Sequence, residues 1–148
     1  MIKIICVGKV KEKFYIEAID EYLKRLSKYT KIEIIEVKDE ANGDILKKEA
    51  ESILKHISEK DYIVTLEIEG NNLSSLELSK KIDNILMENP NLTFIIGGSY
   101  GLDESIKKIS NYKLSFSKLT FPHQLFRVIL LEQIYRSFKI INNESYHK

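Results

Sequence analysis

The sequence predicts an α/β fold, a mostly parallel sheet with helices packed on both faces. Three observations carry that prediction. Short β-branched runs alternate along the chain with longer stretches whose apolar residues recur at helical spacing. The first run, Ile2 to Val7, is apolar at nearly every position, the pattern of a strand covered on both sides. No repeat, low-complexity tract or linker interrupts the 148 residues, so residues 1–148 form one domain long enough to bury a real core.

Composition bounds the function. Hydrophobic residues at 43% and charged residues at 30% describe an ordinary globular protein. Lys plus Arg (23) against Asp plus Glu (22) leave +1, so any nucleic-acid binding must come from local clustering. The single Cys6 rules out an intramolecular disulfide and reads as a small core residue. The N-terminal apolar run is too short for a signal peptide, and no run approaches the roughly 20 residues that span a bilayer. A cytoplasmic location and no membrane partner are the expectation.

The elements follow in order. Ile2 to Val7 is a strand closed by Gly8. Phe14 to about Tyr29 is a helix with Tyr15, Ala18, Ile19, Tyr22 and Leu26 on one face. Between Gly8 and Lys31 lie seven basic residues (Lys9, Lys11, Lys13, Lys24, Arg25, Lys28, Lys31) against four acidic ones (Glu12, Glu17, Asp20, Glu21). This modest excess suits either a solvated face or phosphate contacts. Ile32 to Val37 is a second strand, Asp44 to about Ser58 a second helix, and Tyr62 to Ile68 a third strand. Ser74 or Ser75 caps a helix running to about Met87. Asn89-Pro90-Asn91 breaks it, and Leu92 to Ile96 is the fourth strand. A short helix from Asp103 to Ile109 precedes the fifth strand, Tyr112 to Ser115. The last helix starts at Pro122, whose missing N–H suits a first helical position.

Ligands of open α/β sheets bind beyond the carboxyl ends of the strands. Three unusual segments fall there: Leu66 to Gly70, Gly97 to Leu102 and Phe116 to Phe121. Gly97-Gly98-Ser99-Tyr100-Gly101 lets backbone approach a ligand or adopt positive φ. It has neither the Gly-Lys-Ser/Thr ending of a phosphate loop nor the spacing of a dinucleotide fingerprint. Phe116 to Phe121 mixes apolar rings with backbone donors and acceptors, which suits the face and polar edge of a purine. His56, His123 and His147 are scattered, so no metal site is expected.

The last helix is apolar nearly all round, from Leu125 to Ile141. A sheet covers one face of such a helix, and the other either meets a second copy or is buried centrally in the same chain. Glu132 and Arg136 are four apart and can pair. Arg127 either neutralises an acid or receives an anionic ligand.

Leu114 to His123, Thr65-Leu66-Glu67-Ile68, Ile96-Gly97-Gly98, Arg127-Val128, Glu132, Tyr135-Arg136 and the terminal Tyr146-His147-Lys148 resemble the RlmH family along the whole chain. These are SPOUT-class methyltransferases that use S-adenosylmethionine to modify N3 of a pseudouridine in 23S ribosomal RNA. Tyr100 departs from the smaller polar or acidic residue common in the family. The resemblance implies a SPOUT fold with a C-terminal trefoil knot and a homodimer that completes the site. It puts cofactor contacts on Leu66, Gly97, Phe116, Ser117, Lys118, Leu119, Thr120 and Phe121. Arg136, Tyr146 and His147 are then the candidate catalytic residues: a guanidinium for a phosphate or carbonyl edge, a ring for stacking, and the imidazole, whose ordinary titration lies near neutrality. Lys9, Lys11, Arg127 and Lys148 are candidates for the RNA. A non-catalytic ribosome-assembly factor and a SPOUT enzyme acting on transfer RNA are the alternatives, and whether naked RNA or the ribosome is the substrate stays open.

Overall fold

The computed structural model describes all 148 residues. Five strands, β1 (Ile2–Val7), β2 (Ile32–Val37), β3 (Asp61–Asn72), β4 (Asn91–Ile96) and β5 (Tyr112–Ser115), alternate with five helices. The helices are α1 (Lys13–Leu26), α2 (Ile45–Leu54), α3 (Ser75–Glu88), α4 (Glu104–Ile109) and α5 (His123–Ile141). The sheet order is β2-β1-β4-β3-β5, and every neighbouring pair is parallel.

Successive strand residues face opposite sides, and two cores result. Ile2, Ile4, Cys6, Phe94 and Ile96 pack beneath α1, α3 and α5; Ile5, Val7 and Ile95 pack against α2 and α4. Cys6 is fully buried, and burial pushes its thiol up to about 12, the state of an inert core residue.

Four elements differ from expectation. Helix α1 stops at Leu26 and α2 at Leu54, and turns carry the chain onward from each. The third strand is twelve residues long: both Leu66 and Asn71 stand opposite Leu114, so Glu67 to Gly70 loop out over the sheet edge before the chain rejoins β5. Pro122 is the residue before α5 rather than its first turn, with φ −56° and ψ 137°.

Helix α5 lies between α1 and α3 on the sheet. Leu130, Leu131, Ile134, Tyr135 and Phe138 point inward and are buried. On the outer side Leu125, Val128, Ile129, Glu132 and Arg136 form a half-covered stripe. Central burial therefore accounts for most of its circumference, and one half-covered seam is left, apolar at Leu125, Val128 and Ile129 and charged at Glu132 and Arg136.

At the opposite sheet edge, the buried Lys3 ammonium is 2.6 Å from Asp61 and donates to the His56 carbonyl at 2.7 Å. Asn91 and the Ser58 amide also donate to Asp61. Burial raises the Asp61 pKa, but the hydrogen bonds from Lys3 and Asn91 outweigh it and hold the carboxyl below the usual range.

Candidate active site

A cavity of about 450 Å³ opens at the carboxyl ends of β3, β4 and β5. Such a volume suits a small organic ligand, for which pockets run from about 300 to 1,000 Å³. Its walls come from the three segments that the sequence directs there. Leu66, Gly97, Phe116, Ser117, Leu119, Thr120 and Phe121 all line it. Lys118 is exposed and takes no part in the lining, so only its backbone accompanies the loop. Ile96, Leu114 and Phe126 add apolar surface, and Phe116 and Phe126 meet edge to face at 5.0 Å. Sequence reasoning missed Lys107 and Phe126 as wall residues, because helical spacing does not say which side chain overhangs a neighbouring strand.

The glycine loop is shaped by its own backbone. A Cβ on Gly97 would lie 2.5 Å from the Gly101 carbonyl oxygen, and one on Gly98 2.9 Å from Val7. Gly101 turns at φ +82° and donates its amide to the Gly98 carbonyl at 3.1 Å. The smallness of Gly97 is thus required by chain against chain, and the residue also lines the cavity. Tyr100 projects at the loop tip, 70% exposed.

Arg127 is a correction. It does not wait for an anion: it is 2% exposed, with Nη1 donating to Glu36 at 2.7 Å and Nη2 to the carbonyls of Val7 and Gly8 at 3.0 and 2.8 Å. The acid-neutralising alternative is what the structure contains. Glu36 also accepts from the Val10 amide, and Gln124 from those of Lys11 and Glu12. These bonds pin the β1–α1 loop to the first turns of α5, which leaves Lys9 and Lys11 exposed beside it.

The terminal residues form a second cluster. The Arg136 Nε donates to both oxygens of Glu132 at 3.1 and 3.2 Å, and its guanidinium covers the Tyr146 ring at 4.8 Å. The Tyr146 hydroxyl donates to Glu132 at 3.3 Å, and its ring meets Tyr135 at 4.9 Å. Burial, then the Glu132 charge, push the Tyr146 hydroxyl up to about 12, so it stays a donor at neutral pH. His147 Nδ1 lies 3.0 Å from Arg136 Nη1, while Lys148 is exposed. Glu132, which sequence reasoning saw only as a partner for Arg136, anchors both Arg136 and Tyr146, and His147 joins the cluster through Arg136.

Within one chain the tail does not reach the cavity. Helix α5 runs away from that sheet edge, and ten residues separate Phe126 from Arg136, about 15 Å at 1.5 Å per residue. Tyr146 folds back as far as Glu132, in the middle of α5.

A family model described as "Predicted SPOUT methyltransferase" matches residues 1–147. The ribosomal RNA large subunit methyltransferase H of Caldicellulosiruptor saccharolyticus is 53% identical over 100% of both chains. That of Clostridium botulinum (strain Alaska E43 / Type E3) is 55% identical over 99% of each. The chain belongs to the RlmH family of SPOUT methyltransferases. Among solved structures, the tRNA (m1G37) methyltransferase of Aquifex aeolicus shares the fold, with a TM-score of 0.54 and 16% identity over 91% of this chain and 69% of that one. S-adenosylmethionine is the methyl donor of this family. The cavity fits it: apolar walls and aromatic rings for the adenine, and loop backbone for its polar edge.

Proposed function

We propose that this chain methylates N3 of a pseudouridine in 23S ribosomal RNA, acting as a homodimer on the assembled ribosome. Relatives more than half identical over their full length are named for the large-subunit RNA. The observation that carries the reading is the separation, along α5, of the cavity from the Arg136–Tyr146–His147 cluster. A two-fold copy packed through the half-covered stripe from Leu125 to Arg136 sets one protomer's tail at its partner's cavity. Such packing also covers apolar side chains that a monomer leaves at its surface. Leu119, at 71% exposure on the cavity wall, is a further candidate for that contact. The reading includes the C-terminal trefoil knot of the family, formed by the segments that meet at the cavity.

Leu66, Gly97 and the loop from Phe116 to Phe121 hold the cofactor, which when bound supplies a methyl group already made electrophilic by its sulfonium. The chain must orient the base and remove its N3 proton. Arginine only donates, so the Nδ1 of His147 that faces Arg136 carries the lone pair. A donor beside an acceptor is the complement of the base's imide edge, a carbonyl beside N–H. The base inserts between them: Arg136 takes the carbonyl, and His147 Nδ1 takes the proton. Tyr146, unable to ionise at neutral pH, holds Glu132 and so the angle of Arg136. Lys9, Lys11 and Lys148 meet phosphates.

The test is methyl transfer from labelled S-adenosylmethionine to naked 23S RNA, free large subunits and whole ribosomes that lack the modification, with nucleoside mass spectrometry. A methylated pseudouridine base, best made on whole ribosomes, is expected. Label on a ribose 2′-hydroxyl, or on transfer RNA alone, overturns the reading.

A further inference from the structure

Three charged side chains on the cavity wall, Glu67, Glu69 and Lys107, have no role in the steps above, and two of them, Glu67 and Lys107, face each other. Glu67 lies in the segment looped out of β3, and Lys107 on α4. Glu67 Oε2 accepts from the Thr65 hydroxyl at 2.7 Å, and that hydroxyl is 2.7 Å from the Ser110 hydroxyl. The carboxylate is therefore fixed from below. Its Oε1 is 3.9 Å from Lys107 Nζ, and Lys107 is 3.8 Å from Glu104. Both distances exceed a hydrogen bond. The ammonium thus stands between two carboxylates and donates to neither, and Oε1 of Glu67 has no donor. Lys107 is the one lysine or arginine on a wall otherwise made mainly of apolar side chains and loop backbone.

Opposite charges about 4 Å apart, with open hydrogen-bonding positions, complement a zwitterion. The amino-acid end of S-adenosylmethionine carries an ammonium and a carboxylate on one carbon. We propose that Glu67 and Lys107 read this end, Lys107 taking the carboxylate and Glu67 the ammonium, while the apolar wall and the loop backbone take the adenosine. The proposal rests on the cavity being the cofactor site.

Calorimetric titration with three probes tests it. S-adenosylhomocysteine carries the amino-acid end, 5′-methylthioadenosine lacks it, and decarboxylated S-adenosylmethionine lacks only the carboxylate. Glu67→Gln and Lys107→Met are each expected to weaken S-adenosylhomocysteine about 10- to 100-fold, the range for one charge-assisted hydrogen bond. Both should change 5′-methylthioadenosine less than about twofold, and Lys107→Met should spare the decarboxylated probe. Equal losses for homocysteine and methylthio probes would mean that the pair shapes the adenosine pocket, and unchanged S-adenosylhomocysteine affinity would mean no contact; either overturns the proposal. Wild-type protein that binds neither nucleoside overturns the cavity assignment instead.

Discussion

Replacing Arg127 by methionine separates a structural role from substrate binding. The change keeps much of the apolar stem and removes every donor. It breaks two charge-assisted bonds to the Val7 and Gly8 carbonyls, each worth about 1.5 to 3 kcal/mol. The bond to Glu36 adds about 1 kcal/mol or less, because that carboxylate is 34% exposed and water re-solvates it. Against these losses stands a relief: Arg127 Nε is buried without a partner, and its removal returns about 1 to 3 kcal/mol. The net loss is about 3 kcal/mol. For a domain of this size, that lowers the melting temperature by about 6 to 12 °C. Urea unfolding by circular dichroism reads it directly. Ribosome affinity and its salt slope, measured where the variant is fully folded, should match the wild type. A stability loss under about 1 kcal/mol, or a salt slope shallower by about one phosphate contact, would refute the argument.

Asp61→Asn leaves the Lys3 ammonium buried without its counter-charge and should cost about 3 to 5 kcal/mol in urea unfolding. Because the folded pKa of Asp61 is depressed, its stabilisation is present above the unfolded carboxylate pKa of about 3.9 and is lost as pH falls through the lower folded value. The variant should lack that part of the wild type's acid loss in a pH series of melts. Gly97→Val drives a branched side chain into the Gly101 carbonyl, so cofactor affinity and thermal stability should fall together; a stable variant with unchanged affinity would remove this loop from the site. Deleting Tyr146-His147-Lys148 should lower single-turnover methyl transfer at least tenfold, about 1.4 kcal/mol, with S-adenosylmethionine affinity retained, since no tail residue lines the cavity of its own chain. Light scattering at micromolar concentration should return twice the 17.2 kDa chain mass, and a clean monomer there would sink the shared site.

Much of the fold follows from short-range patterns. The β-branched runs and the 3.6-residue periodicities place all five strands and five helices, since burial on a strand or a helix face imposes a local period. The same patterns send the segments after β3, β4 and β5 to one edge, because parallel strands joined by helices must all end on the same side. Tertiary structure alone decides what those segments do to each other. Gly97 is small for the sake of Gly101, four residues away, and only the folded turn brings that carbonyl to its α-carbon. Arg127 meets Glu36, Val7 and Gly8 across more than ninety residues, and no spacing rule could choose between that clamp and a free guanidinium. The loop of Glu67 over the sheet edge depends on β3 rejoining β5 after a register break, a choice made by the partner strand. The distance between tail and cavity comes from the direction of α5 across the sheet. Sequence can group Arg136, Tyr146 and His147 by chemistry, but helix direction decides that they stand far from their own cavity, because an α-helix carries its residues 1.5 Å further with every step.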